Sequence, residues 1–254
     1  MTLTLSSFFL IFSLLTLAYF FYRLKTSFNG DSFLSQIKSN HLAVAFSNLF
    51  LALYIPLVSF YIYARFEKTP SSEVIYLLIF LLGCLPELTR LFIPLETIQR
   101  SYPRFLVTAG RALFWGRSIC VISLFAASIF SAKSKSIETE QNVFVILIFS
   151  LALASIVPVN TAKIGQSLSI EIGWQNFVIF LYIVTALLTA ASYAVSANLN
   201  ENPIYLRLGL GIACLETGFF ILATSSILAI SAAGAVLMAA GTTRALSALH
   251  KLYT

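Results

Sequence analysis

Residues 83–117 read GCLPELTRLFIPLETIQRSYPRFLVTAGRALFWGR and cover the end of one long apolar segment, a connection and the start of the next apolar segment. This stretch holds two of the ten acidic residues and five of the sixteen basic residues of the chain. On both sides of it the sequence consists mainly of Leu, Ile, Phe, Val and Ala. A short charged connection between apolar segments is typical of a hairpin of two membrane-spanning helices. The stretch therefore predicts a helical membrane protein with ionisable groups close to one loop.

The composition of the whole chain excludes a soluble domain. Of the 254 residues, 59% are hydrophobic and 10% are charged, and the mean hydropathy is +0.90. Soluble domains contain about 25% charged residues. The net charge of +6 does not indicate nucleic-acid binding, because the basic residues lie singly at the ends of apolar segments. We therefore expect the lipid bilayer to be the main partner, in the cell (inner or plasma) membrane.

The apolar segments define the predicted fold. A membrane-spanning helix needs about 20 mostly apolar residues. Seven segments meet this condition, at about residues 3–22, 42–64, 74–93, 105–130, 142–162, 172–197 and 205–230. They predict an all-α integral membrane protein in which residues 1–254 form a single bundle of seven transmembrane helices.

The last apolar run, from Ile204 to Thr243, is too long for one simple crossing. As one helix it would measure roughly 60 Å, about twice the thickness of the hydrocarbon core. The first alternative is a tilted helix with a C-terminal extension along the inner surface to about residue 251. The second is a pair of helices that turn near Ser225–Ser226, which would make eight spans. We favour seven, because the supposed turn has no Gly, Pro, Asn or charge.

The distribution of Lys and Arg predicts the orientation. The connections after the first, third and fifth segments carry more Lys and Arg than the connections between them. Arg244 and Lys251 near the C-terminus agree with an inside C-terminus. Cytoplasmic loops have an excess of basic residues, so we expect the N-terminus outside and the C-terminus inside.

Ionisable residues inside apolar segments are the candidate site. Such residues are costly in a membrane and usually face the interior of the bundle. We single out a binding or structural charge network, with one aromatic neighbour, made of Glu87, Arg90, Arg111, Trp115, Arg117 and Glu216.

Three contacts are expected within this set. Glu87 and Arg90 are three residues apart, so they face the same side of a helix. Arg111 and Trp115 are four apart, which would allow a cation–π contact. For Glu216, the nearest cation in predicted depth is Arg117. Glu216 is therefore either an interhelical salt bridge or neutral structural group, or a carboxylate that binds a ligand or a proton.

Catalytic and metal-binding patterns are absent from the sequence. It contains no HExxH, no GxSxG and no pair of aspartates, and its three cysteines lie singly in apolar runs. We therefore predict no catalytic residue, no metal and no cofactor, and favour a protein that is not an enzyme. A retinal protein is also excluded, because no lysine lies between Lys163 and Lys251.

Two classes of function remain open. The first is a sensor, a receptor-like protein or a subunit of a membrane complex, which would contact another protein through the 94–104 loop and the C-terminal helix. The second is a small-solute or proton-coupled transporter or channel component that uses Glu216 and Glu87. We favour the first class, because we detect no internal repeat and few polar residues in several segments.

Overall fold

A computed structural model describes residues 2–27, 39–66, 71–93, 103–130, 139–165 and 167–253. These residues form eight α-helices, one 3₁₀ helix and one β-hairpin. The α-helices are α1 (Thr2–Ser27), α2 (Ser39–Phe66), α3 (Ser72–Cys84), α4 (Pro103–Phe130), α5 (Thr139–Ile156), α6 (Gln175–Leu199), α7 (Ile204–Thr224) and α8 (Leu228–Tyr253). The 3₁₀ helix spans Leu85–Leu91, and the hairpin strands are β1 (Val159–Ile164) and β2 (Ile170–Ile172).

The helices are those of a membrane bundle. In the described part of the chain, α2 to α8 provide seven helices that are long and apolar enough to cross a membrane, with α3 extended by the 3₁₀ helix. In α1 a shorter apolar stretch, Ser6–Tyr19, is found. The sequence also predicted seven spans, but not the same seven. The predicted set starts with residues 3–22, which lie in α1, and counts the last apolar run as one span, whereas the observed set omits α1 and counts α7 and α8 separately.

The last apolar run is two helices, so the favoured prediction of one continuous helix is wrong. Ser225 leaves the helical conformation, with φ −70° and ψ 139°, and α8 starts at Leu228. The Oγ of Ser225 accepts a hydrogen bond from the backbone N–H of Ile227 at 3.2 Å, which helps to start the new helix. The predicted C-terminal extension is therefore α8, a full helix that returns along α7.

Small residues hold α7 and α8 together. A Cβ on Gly218 would lie 2.5 Å from the backbone nitrogen of Met238, and a Cβ on Gly241 would lie 2.4 Å from that of Leu215. No side chain larger than hydrogen fits at either place, and small residues allow such close backbone contact in membranes. The glycines therefore determine which faces of the two helices meet.

A β-hairpin replaces the predicted junction of the fifth and sixth segments. The fifth segment was expected to end near residue 162 and the sixth to begin near 172, but the helices end at Ile156 and begin at Gln175. Between them β1 and β2 are antiparallel, with Asn160 opposite Glu171. β-branched residues favour extended chain here, and Ile170 anchors the hairpin among Ala109 and Leu113 of α4.

The third segment changes its geometry near the predicted charged residues. After Cys84 the α-helix tightens into the 3₁₀ helix, whose second residue is Pro86. Just before this change α3 meets α4 closely, because a Cβ on Gly83 would lie 2.8 Å from the carbonyl oxygen of Gly116. This approach places Glu87 beside the part of α4 that carries Arg117.

Both described ends of the chain lie at one end of the bundle. Ser6 in α1 donates to the carbonyl of Ser59 in α2 at 3.1 Å, and Phe66 packs against His250 with ring centroids 6.2 Å apart. The end of α8 also contacts the start of α3, where Tyr253 donates to Glu73 at 2.8 Å, whereas the 3₁₀ helix that precedes the 94–104 loop follows the other end of α3. The 94–102 part of that loop lies outside the described residues.

Candidate functional site

Three of the predicted residues form one buried charge cluster, Glu87, Arg90 and Arg117. Arg117 donates through Nε to Glu87 Oε1 at 2.5 Å and through Nη2 to Oε2 at 3.2 Å. Arg90 donates through Nη1 to Glu87 Oε2 at 3.2 Å. The side chains of Arg90, Glu87 and Arg117 are 0%, 1% and 11% exposed. The expected neighbour pair of Glu87 and Arg90 is thus present, and it is joined by a second guanidinium.

The same two arginines bind the end of α7. Arg90 Nη1 donates to the carbonyl of Leu222 at 3.2 Å, and Arg117 Nη2 donates to that of Ala223 at 3.1 Å. The last carbonyls of a helix have no partner within the helix and carry partial negative charge. The arginines therefore satisfy and stabilise the helix end at the α7–α8 break. The sequence near this break contains no charged residue, and the charges that stabilise it are supplied by Arg117 of α4 and Arg90 of the 3₁₀ helix.

Arg90 also holds the tip of the β-hairpin. Its Nε donates to the carbonyl of Ser167 at 3.1 Å, and its Nη2 donates to the same oxygen at 2.5 Å. Arg90 is fully buried, so these contacts fix the hairpin tip against the bundle. One cluster therefore joins four parts of the chain: the 3₁₀ helix, α4, the hairpin and α7.

Glu216 does not pair with Arg117, which corrects the pairing suggested by predicted depth. Arg117 is bound to Glu87, and no described basic residue forms an ion pair with Glu216. Glu216 is 3% exposed, and its Oε1 has no hydrogen-bond partner among the described residues. A buried polar group without a partner is costly, so this atom marks a place where a partner from outside the described chain is favoured.

Glu216 lines a cavity of about 720 Å³, hereafter the cleft. Its walls are one face of α6, one face of α7 and the hairpin segment, with Arg117 at the hairpin end. Known ligand pockets are about 300–1,000 Å³ and mostly apolar with a few polar groups. The cleft has this character, since Ile179, Ile183 and Phe220 belong to its walls and Glu216 and Thr217 are among its polar residues.

The cleft lies between α6 and α7 on the side of the hairpin. Toward the other end of the two helices α6 and α7 touch, because a Cβ on Gly209 would lie 2.7 Å from Cβ of Tyr193. Further along, Tyr182 fills part of the space, with its ring centroid 5.4 Å from that of Phe220. The Tyr182 hydroxyl lies 3.4 Å from that of Ser118. The helices therefore diverge toward the hairpin and leave room between them.

Arg111 and Trp115 lie apart from both features. Arg111 is exposed near the start of α4 and has no cation–π contact in the part of the chain that the structure describes. Trp115 instead donates through Nε1 to the carbonyl of Leu147 in α5 at 3.3 Å. The expected stacking of the two side chains is therefore not observed, and neither residue lines the cleft.

Sequence reasoning missed several residues of the site. Ser167 contributes only its carbonyl oxygen, and any residue type has one, so no sequence signal could have identified it. Tyr182 and Thr217 line the cleft, but each resembles an ordinary polar residue of a membrane helix. The described residues contain no group of His, Cys, Asp and Glu that could hold a metal ion.

The fold and the site define an all-α, multi-pass membrane protein with a cleft between two of its helices. Comparisons with family models, with curated proteins and with solved structures found no significant match. The function must therefore be inferred from the geometry of the cleft and of the charge cluster beside it.

Proposed function

We propose that this chain is a receptor-like membrane protein without enzymatic activity, which binds a small ligand in the cleft between α6 and α7. The observation that carries the proposal is the Oε1 of Glu216, which is buried, unpartnered among the described residues and part of the cleft wall. A ligand that contacts this oxygen would supply the missing interaction. The cell (inner or plasma) membrane is the location we propose.

The charge cluster is the proposed route from the cleft to a partner protein. Arg117 lines the cleft and is bound to Glu87 and to the end of α7. A shift of α7 on ligand binding would therefore pull on the cluster. Glu87 and Arg117 lie on the two sides of the 94–102 connection, so the movement would reach this loop. A partner contact through this loop and the C-terminal helix is part of the proposal.

A transporter that uses Glu216 is the second candidate. A carboxylate inside a span and next to a cavity also suits ion-coupled transport. Glu87 fits this role poorly, because both its oxygens are occupied by guanidinium groups and it does not line the cleft. The close contact of Gly209 with Tyr193 also joins α6 and α7 beyond the residues that line the cleft. These two observations favour binding over passage.

The proposed function can be tested by thermal unfolding in lipid nanodiscs with a panel of small amphiphilic molecules. A ligand at 100 times its Kd stabilises the folded state by about 2.7 kcal/mol, which corresponds to a shift of roughly 5–10 °C for a chain of this size. Ala213→Phe fills the cleft and should abolish the shift. Ala240→Phe, on an exposed face of α8, is the matched control and should keep it.

Two outcomes would contradict the proposal. If every molecule that shifts the midpoint of the wild type shifts Ala213→Phe equally, the cleft is not the binding site. If proteoliposomes show solute or proton flux that Glu216→Gln abolishes, the protein is a transporter and the receptor proposal is wrong.

A further inference from the structure

We infer that the ligand of the cleft is a lipophilic amine, whose ammonium group binds Glu216 and whose apolar body lies along α6. The inference rests on the proposed function, since it takes the cleft to be the ligand site. It adds the chemical class of the ligand, which follows from the charge, the walls and the opening of the cleft.

The charge of the cleft selects a cation. Glu216 is a buried carboxyl group with an unpartnered oxygen, and no described basic residue forms an ion pair with it. Arg117, the basic residue of the cleft wall, has two of its nitrogens bound to Glu87. An ammonium group donates several hydrogen bonds and carries the opposite charge, so it fits the carboxylate in both respects.

A second acceptor lies one residue further along α7. The hydroxyl of Thr217 donates its hydrogen to the carbonyl of Ala213 at 2.7 Å. Its oxygen keeps lone pairs that can accept from a ligand. Glu216 and Thr217 both belong to the cleft wall, so α7 presents a pair of acceptors to the cleft. An anionic head group would find the wrong polarity here.

The walls and the opening select an apolar body. Along α6 the cleft is lined by residues that include Ile183, Ala186 and Leu187. Ile183 is 55% exposed and Leu187 is 65% exposed, so the cleft opens sideways on the surface of the bundle. In a membrane this surface faces lipid. A ligand that reaches Glu216 by this route must be soluble in the bilayer, which a small hydrophilic amine is not.

The position of Arg117 limits the length of the polar head group of the ligand. Arg117 binds the carbonyl of Ala223, seven residues after Glu216 and roughly 10 Å further along α7 at 1.5 Å per residue. The guanidinium is therefore at the hairpin end of the cleft, and the carboxylate is nearer its middle. A single ammonium group at Glu216 avoids the positive cluster, and the apolar body extends from it along α6.

The inference can be tested by photo-crosslinking with decylamine, decanol and decanoic acid, each with a diazirine near the end of the alkyl chain. The full-length protein in nanodiscs is labelled over a range of probe concentrations, and labelled residues are identified by mass spectrometry. We expect the amine to label α6 of the wild type at a half-saturating concentration about ten- to a hundredfold lower than for Glu216→Gln. This is the range that a charge-assisted hydrogen bond gives. Decanol should not distinguish the two proteins, and decanoic acid should label the wild type no better than Glu216→Gln.

Control variants separate loss of the site from loss of the fold. Glu73→Gln removes a different buried carboxyl group, which is bound by Tyr253 at 2.8 Å and does not line the cleft, so labelling by the amine should be unchanged. Glu216→Asp keeps the charge and should recover part of the affinity that Glu216→Gln loses. Ala213→Phe should remove labelling of the cleft by all three probes.

The possible results distinguish failure of the amine as ligand from failure of the cleft as a binding site. Equal half-saturation by the amine in the wild type and in Glu216→Gln would overturn the amine as ligand, while labelling that Ala213→Phe removes would leave the cleft as a binding site. If decanoic acid has the lowest half-saturating concentration of the three probes, the amine is also overturned, and Arg117 is the residue that selects the head group. If no probe labels α6 more in the wild type than in Ala213→Phe, the proposed function fails together with the inference.

Discussion

Glu87→Gln should be among the most destabilising single substitutions in this protein. Glu87 accepts two hydrogen bonds from Arg117 and one from Arg90, and it is the carboxylate between two buried guanidinium groups. Gln keeps one acceptor oxygen, but its NH₂ group faces N–H donors. Each buried donor left without a partner costs about 1–3 kcal/mol, and breaking a buried ion pair costs about 3–5 kcal/mol. We therefore expect a loss of about 3–5 kcal/mol in the free energy of unfolding.

Steric trapping in bicelles, with the fluorescence of Trp115 as a reporter, would measure this loss. Trp115 is a suitable reporter because it is two residues from Arg117 and bonded to α5. Glu201→Gln, at an exposed position between α6 and α7, is the matched control and should change stability by less than about 0.5 kcal/mol. A second control combines Glu87→Gln with Arg117→Gln, which should cost less than the sum of the single changes. Equal stability of Glu87→Gln and Glu201→Gln, or full additivity in the double variant, would refute the role given to the cluster.

Three further predictions concern the helix packing and the topology. Gly218→Leu should destabilise the protein by at least about 1–3 kcal/mol in the same assay, because its Cβ would lie 2.5 Å from the backbone of α8. Gly165→Ala, where the nearest atom to the new Cβ is 3.3 Å away, should be tolerated. Equal effects of the two substitutions would contradict the α7–α8 contact. In detergent a maleimide should label Cys214 before Cys84 and Cys120, because the last two are buried and Cys214 is partly exposed; preferential labelling of Cys84 or Cys120, read by peptide mass spectrometry, would contradict the packing of α3 on α4. Epitope tags at the two termini should be accessible to antibody from the same side of the membrane, because both described ends of the chain contact the C-terminal part of α2. Tags on opposite sides would contradict this placement of the two ends.

The charge cluster shows what a sequence pattern can and cannot predict about a site. The spacing of Glu87 and Arg90 was enough to predict their contact, because residues three apart share one face of a helix. The partner of Arg117 could not be predicted, since depth in the membrane leaves the choice among several helices open. The close approach of Gly83 to Gly116 decided it, by bringing Glu87 within reach of α4. Because Arg117 binds Glu87, Glu216 has no ion pair with it and lines the cleft instead.

The end of α7 shows a second limit. The sequence between Thr224 and Leu228 has no glycine, proline or charge, and local rules therefore favoured a continuous helix. In the folded chain the carbonyls of Leu222 and Ala223 are bound by arginines from distant positions. A helix can end where other parts of the protein satisfy its last carbonyls, and the sequence of the helix itself does not record this.

The sequence by itself determined the class of protein, the approximate position of most helices and a short group of ionisable residues, of which Glu87, Arg90, Arg117 and Glu216 lie in the charge cluster or the cleft. Length and polarity suffice for these, because a bilayer admits only long apolar helices and makes buried charge rare. Only the tertiary structure decided that the stretch from residue 83 to 117 holds a two-arginine cluster, that the hairpin tip at Ser167 docks on it, and that Glu216 faces a cleft. The physical reason is that hydrophobicity specifies which residues leave water, whereas the pairing of buried groups depends on which helix faces meet, and here close glycine contacts set those faces.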